Sequence, residues 1–351
     1  MKKILSMLAA AALVGALTFA VSCNSNSSKP TASESNHITG AGSTFVYPIM
    51  TKWIEQFQQT NQGVQINYQS IGSGGGIQQL KKGLVDFGAS DAALSDDQLK
   101  TMPALVQIPE SAGPVCITYN LPELKQPLHL TGAALAGIYL GTVKTWHDPL
   151  ITKSNPGVKL PNTAIVVAHR SEGSGTTNIF TTYLATVNPE WKQKVGANIS
   201  VEWPVGLGGK GSEGVTGIVK QTPGAIGYVE LNYATENNLP VAAMENKAGQ
   251  WILPSAESAS AAIDAGKDLL AKDVRTPIVD PPATAKTAYP ISGMTFLLVP
   301  TQFKDPAKGA IVKKFVSYII TDGQGFSNGL HYSPLPQSIV TVDQQLLDKI
   351  Q

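Results

Sequence analysis

Three times this chain runs from a β-branched stretch through a turn built almost wholly of Gly, Ser and Thr and straight into a helical pattern. The first turn lies in Ile38-Thr39-Gly40-Ala41-Gly42-Ser43-Thr44-Phe45, ahead of a helix through Trp53. The second, Gly72-Ser73-Gly74-Gly75-Gly76, follows Tyr68 to Ile71, and the third, Arg170-Ser171-Glu172-Gly173-Ser174-Gly175-Thr176-Thr177, follows Val167 to His169. Strand, tight turn and helix in that order form the unit of an open α/β sheet. Such a sheet places all three turns beyond the carboxyl ends of its strands, where open α/β sheets bind ligands.

A helix start carries backbone N–H groups without partners and the positive end of the dipole, so it suits an anion. Glycine lets a small ion touch the backbone, and Ser and Thr hydroxyls add donors. Any one such turn is equally well a capped helix start; three together point to a shared ligand. Arg170 is the one cation within them, and its planar fork suits an oxyanion. It is also placed for an ion pair with Glu172, which would orient it. Asp91, in Phe87-Gly88-Ala89-Ser90-Asp91, is a turn residue on one reading. On the other it selects the ligand: an ionised carboxylate only accepts hydrogen bonds, so it welcomes hydrogen phosphate, which has a hydroxyl, and repels sulfate, which has none at neutral pH.

Further strands are expected at Val64 to Ile71, Val85 to Ala89, Ile117 to Asn120, Ala164 to Ala168, Ala225 to Val229 and Met294 to Val299. Val46, Met50, Trp53 and Phe57 recur at helical spacing, as do Ile311, Phe315, Tyr318 and Ile319, and both sets read as core. Ala112-Gly113-Pro114 and Tyr289-Pro290-Ile291 are candidate crossovers. They predict one lobe from residues 37–113 plus 290–351 and a second from 114–289, joined by a two-strand hinge that closes on a ligand.

At the N-terminus, Met1-Lys2-Lys3 and the apolar run Ile4 to Val21 read as a signal peptide over residues 1–22, with Cys23 placed for lipidation. Ala20 stands where a lipobox usually has leucine. Residues 23–36, rich in Ser and Asn, read as a flexible tether. The expected location is the periplasm or the outer face of the cell membrane. Cys116, in Val115-Cys116-Ile117, reads as a buried small hydrophobe. A net charge of +1 with scattered Lys and Arg gives no basic stripe for nucleic acid.

These motifs, TGAGSTF from Thr39 to Phe45, GSGGG from Gly72 to Gly76, VDFGASD from Val85 to Asp91, RSEGSGT from Arg170 to Thr176, and GLGGKGSEG from Gly206 to Gly214 with PGAIGYVE beyond it, resemble the periplasmic phosphate-binding proteins of high-affinity phosphate ABC transporters. The resemblance covers essentially all of the chain beyond the N-terminal segment. It implies an α/β, two-lobed periplasmic binding protein fold (type II), a monomer that uses no metal or cofactor and delivers inorganic phosphate to a membrane permease. Carried over by motif position, the ligand contacts are Thr44, the Phe45 amide, Ser73, Asp91, Arg170, Ser174, the Gly175 amide and Thr176, with Glu172 supporting Arg170. Glu172 stands where the family more often has Asp; Ser43 and Gly74 also depart from the usual pattern. Gly206 to Gly211 fits G-x-G-x-x-G but follows Trp203-Pro204 rather than a continuous strand, and reads as a structural loop near the cleft, with Lys210 adding positive potential.

A secreted phosphatase-like enzyme on the same fold is the competing expectation. It would need a nucleophile with a base, or a metal cluster. The five histidines show no H-x-H or H-E-x-x-H spacing; His169, beside Arg170, is the one nearest the candidate site. A surface interaction protein, the third class, would have no use for three converging anion loops.

Overall fold

The computed structural model describes residues 35–351. The predicted signal peptide and Cys23 lie outside the described residues, as does all but the end of the tether. An eight-stranded sheet holds β1 (His37–Gly42), β2 (Gln65–Ser70), β3 (Phe87–Ser90), β4 (Leu105–Tyr119), β6 (Val166–Arg170), β7 (Leu207–Gly209), β8 (Ala225–Glu230) and β11 (Ser292–Pro300). A small second sheet holds β5 (His129–Leu130), β9 (Ala243–Glu245) and β10 (Trp251–Ile252). The strand order of the large sheet is β2-β1-β3-β11-β4-β8-β6-β7.

Two parallel groups flank an antiparallel centre. β1 runs parallel to β2 and β3, and β6 runs parallel to β7 and β8. Between them, β4 is antiparallel to β11 through Pro114 and antiparallel to β8 from Val115 onward. At about 3.4 Å per residue, this 15-residue strand spans roughly 50 Å and belongs to both halves of the sheet. The crossover expected at Ala112-Gly113-Pro114 therefore lies inside an unbroken strand. Proline has no N–H for a ladder, and here it stands where β4 exchanges one partner for the other. Gly113 also leaves room for the ring of Phe45, from which a Cβ would stand a tight 3.2 Å.

Helices cover the sheet much as the apolar spacing predicts, although Ile311 and Tyr318, expected in the core, are only partly buried at its edge. The helix Tyr47–Thr60 buries Ile49, Met50, Trp53 and Phe57, and the helix Pro306–Ile320 buries Val312, Phe315, Val316 and Ile319. Phe57 and Phe315 meet edge to face with centroids 5.1 Å apart. Each such side chain contributes about 1.5–3 kcal/mol on burial. Cys116 is fully buried in β4 opposite Val229, as expected of a small core residue. The helix Ala256–Leu270 falls within the segment 114–289 expected in the second lobe. Its Ile263 and Leu270 are nevertheless buried with Leu80, Leu298 and Ile339, all from the first. Its alternation of small and apolar residues shows which face is buried, not which sheet half will receive it. Among the described residues no helix is long and apolar enough to cross a membrane.

One residue breaks the apolar pattern of the buried face of the last helix. Asp343, in the helix Gln337–Leu347, is fully buried and neither carboxylate oxygen has a partner. Burial alone pushes its carboxyl up to about 8. An unfolded Asp titrates near pH 4, so between about pH 4 and 8 the folded chain binds more protons, and the Asp343 contribution to stability falls as pH rises through that window. Asp343→Asn is expected to flatten the decline in thermal midpoint between pH 5 and 8; parallel curves for the two proteins would contradict the assignment.

Candidate oxyanion-binding site

The three turns converge, and a fourth joins them. Gly72 has φ +82°, a left-handed value that glycine adopts without strain, and it lets the helix Ser73–Lys81 start at once after β2. Ser73 is thus the first helical residue and its side chain caps nothing. Ser174 caps the helix Gly175–Val187 by accepting from the Thr177 N–H at 3.1 Å, which leaves its own hydroxyl proton free to turn elsewhere. The fourth turn, Lys210-Gly211-Ser212, opens the helix Gly211–Gln221. Expected as structural only, it instead brings Ser212 into the cluster, 2.9 Å from Thr44 Oγ1 and 3.2 Å from Arg170 Nη1. Lys210 is exposed.

At the cluster itself, four hydrogen bonds among the described residues link the two halves of the sheet. Besides Thr44 with Ser212, the Gly175 N–H donates to Ser73 Oγ at 3.0 Å, the Gly74 N–H donates to the Gly173 carbonyl at 2.9 Å, and the Tyr233 hydroxyl donates to the Thr44 carbonyl at 2.8 Å. Thr44, Ser73, Asp91, Arg170, Ser174 and Thr176 are all buried. Phe45 buries its ring near Tyr332, whose hydroxyl donates to the Phe45 carbonyl at 2.6 Å, so any contribution of Phe45 to the site is through its main chain.

Arg170 is held on several sides. Its Nε donates to Glu172 Oε1 at 2.7 Å, its Nη2 donates to the same oxygen, and its Nη1 reaches Thr176 Oγ1 at 3.3 Å. Glu172 Oε1 also accepts from the Gly211 N–H at 3.1 Å, so the longer carboxylate ties the guanidinium to the fourth turn. Burial works against the charge on Arg170, but Glu172 and Glu230 lift its pKa above the ordinary value. Asp91 takes the Ser43 hydroxyl on Oδ1 and the Ser73 hydroxyl on Oδ2 at 3.4 Å. Burial raises its carboxyl to about 7, with Glu230 adding to the rise and Ser43 and Arg170 opposing it.

Two further site residues, Ser43 and Glu230, were not among the expected contacts. Ser43 sits inside the first Gly/Ser/Thr turn, beside Thr44. Glu230 ends β8, 2% exposed, and accepts from Thr176 Oγ1 at 2.6 Å. A polar residue closing the apolar run Ala225 to Val229 at its carboxyl end is the signal that could have found it. His169 is otherwise engaged: its ring stacks on Trp203 with centroids 4.7 Å apart, and Nδ1 lies 2.9 Å from the Arg170 carbonyl. Chemically, the arrangement offers one guanidinium, several Ser and Thr hydroxyls and helix-start amides to an oxyanion, with Asp91 as a buried acceptor.

Residues 27–323 match a family model described as a PBP superfamily domain. The phosphate-binding protein PstS of Xylella fastidiosa (strain Temecula1) is 45% identical over 324 residues, covering 91% of this chain and 88% of that protein. The phosphate-binding protein PstS of Pasteurella multocida is 42% identical over 304 residues, covering 86% of this chain and 87% of that protein. Among solved structures, a phosphate binding protein from Stenotrophomonas maltophilia superposes with a TM-score of 0.64 at 19% identity, covering 88% of this chain and 93% of that one. At that identity the likeness is one of fold.

Gly175 sets the approach of the two halves. A Cβ there would lie 2.5 Å from Asp91 Cβ and 2.6 Å from the Asp91 N. Alanine is at home at a helix start, so Gly175→Ala is expected to fold and to hold the halves apart. Overpacking of about 1–3 kcal/mol corresponds to about a fivefold to hundredfold loss of phosphate affinity in calorimetric titration; wild-type affinity with an unchanged circular dichroism spectrum would show that the close approach is not needed.

Proposed function

The chain belongs to the PstS family of phosphate-binding proteins within the PBP superfamily, and from that premise we propose that it captures inorganic phosphate between the two halves of its sheet and delivers it to an ABC-type importer. One observation carries the reading. Arg170 and Asp91, a buried donor fork and a buried acceptor from opposite halves of the sheet, face one cluster of hydroxyls. That combination fits an anion that carries a proton.

In the proposed mechanism, Thr44, the Phe45 N–H, Ser73 and Asp91 hold phosphate from one half, and Arg170, Ser174, the Gly175 N–H and Thr176 hold it from the other. Glu172 keeps the guanidinium in register. Closure takes the ion out of water, where each hydrogen bond is stronger. Asp91 accepts the phosphate hydroxyl; sulfate has no proton to give, and two facing acceptors repel. The lobes are proposed as residues 37–113 plus 290–351 and residues 114–289, with the helix Ala256–Leu270 carried by the first because of where Ile263 and Leu270 are buried. β4 and the chain entering β11 are then the hinge.

Location and partners belong to the same proposal. The signal peptide over residues 1–22, lipidation at Cys23 and the tether to residue 36 place the protein in the periplasm or on the outer face of the cell membrane, as a monomer that meets the permease in its closed form. A phosphatase on the same fold gains no support from His169, whose ring is stacked on Trp203 rather than paired with a nucleophile.

The direct test is calorimetric titration of the protein, refolded to strip carried-over ligand, with phosphate and then sulfate. One-to-one phosphate binding without sulfate heat supports the reading; no phosphate heat overturns it. Arg170→Ala is expected to weaken phosphate by about a hundredfold or more, since charge-assisted hydrogen bonds contribute about 1.5–3 kcal/mol each. Asp91→Asn, whose amide can donate, is expected to narrow the phosphate-to-sulfate ratio by about tenfold or more; an unchanged ratio would remove Asp91 from the selectivity argument.

A further inference from the structure

Glu230 has a place in the site that the phosphate contacts alone do not explain. Its Oε1 accepts the Thr176 hydroxyl at 2.6 Å, while its Oε2 is buried without a partner. Thr176 Oγ1 also lies 3.3 Å from Arg170 Nη1. A hydroxyl has a single proton. While Thr176 gives it to Glu230, the threonine can only accept, and it has nothing to donate to an anion. Were Thr176 to turn that proton to the ligand with Glu230 still ionised, a buried carboxylate would lose its threonine donor while Oε2 remained bare, an arrangement that burial penalises heavily.

The surroundings of Glu230 point the same way. The titratable groups whose charge Glu230 influences are Arg170 from β6, Asp91 from the turn after β3, Cys116 from β4, Tyr233 from the helix Leu231–Glu236 and Tyr332 from the turn before the helix Gln337–Leu347. Arg170 is the only cation among them, and Glu172 already occupies its Nε and Nη2. Burial raises the Glu230 pKa; Arg170, Thr176 and Ser212 oppose that rise without cancelling it. With Asp91, Glu172 and Glu230 all ionised, three carboxylates would share the site with one guanidinium before any phosphate arrived.

We propose that Glu230 switches Thr176 from the protein to the ligand, phosphate capture being coupled to uptake of one solvent proton on Glu230, whose new O–H donates to Thr176 Oγ1 and frees the threonine proton for the anion. One O–H bond forms on Glu230, the proton comes from a solvent or buffer acid, and no other covalent bond changes. Thr176 then accepts from Arg170 and Glu230 and donates to phosphate, which uses its full capacity. The inference rests on the phosphate-binding reading. It makes Glu230 a positioning residue, acting through Thr176, and makes capture weaken with rising pH beyond what phosphate and Asp91 themselves impose.

The test is calorimetric titration with phosphate at pH 8 in buffers of different ionisation heat, which counts protons taken up, together with affinity from pH 7 to 9, for the wild type and Glu230→Gln. The glutamine amide is a permanent donor to Thr176. The variant is expected to take up about one proton fewer and to have the flatter profile, binding phosphate severalfold more tightly than the wild type at pH 9; a coupled proton steepens the wild-type profile by up to about tenfold per pH unit. Equal proton counts with parallel profiles overturn the proposal while leaving phosphate capture intact, whereas no phosphate heat from the wild type overturns both. Should the variant fail to fold, carbon-13 labelling of glutamate carboxyls in the Glu110→Gln background, which removes the buried Glu110, decides instead. One glutamate carboxyl becoming protonated on adding phosphate at pH 8 supports the switch, and none doing so overturns it.

Discussion

A guanidinium taken out of water must be answered by partners, and the burial of Arg170 is the constraint around which the rest of this structure is arranged. Isolated, it would cost more than a domain can spare. Glu172 takes Nε and Nη2, and Thr176 and Ser212 lie against Nη1. These partners come from two separate turns of one half of the sheet. The other half is drawn in through them: Ser212 meets Thr44, and beside the guanidinium the Gly175 N–H meets Ser73. Ser212 therefore both satisfies the arginine and links the two halves.

The sheet makes that link possible because one strand belongs to both halves. β4 pairs with β11 up to Pro114 and with β8 from Val115, and β8 delivers Glu230 to the site while β11 lies beside the strand that delivers Asp91. Parallel strands on either flank aim their carboxyl ends, and the helix starts behind them, at one cluster. Charge within the cluster is unbalanced toward carboxylates. Burial raises both Asp91, to about 7, and Glu230, and at Asp91 the charge of Glu230 adds to the rise.

Much of this was legible in the chain itself. Three Gly/Ser/Thr turns ahead of helical patterns, with Arg170 among them, led to the expectation of an anion site, and the fold does bring the candidate residues together. The members that escaped did so for physical reasons. Ser212 lies after Lys210-Gly211, in a loop whose spacing matched a dinucleotide motif poorly, and nothing local shows that Arg170 will reach it. Glu230 closes an apolar strand, and its role depends on contact with Thr176, a residue 54 positions away. The Gly-Pro at 113–114 reads as a break, but the strand continues because the proline sits where its neighbour changes. The helix Ala256–Leu270 has a clear apolar face whose destination is a matter of tertiary contact.

The measurement that tests the central claim most directly is a crystal structure of the protein grown with phosphate. The account predicts one anion within hydrogen-bond distance of Thr44, Ser73 and Asp91 from one half and of Arg170, Ser174 and Thr176 from the other, with Glu172 still on the guanidinium. An anion bound to one half only, or resting anywhere else on the chain, would contradict it.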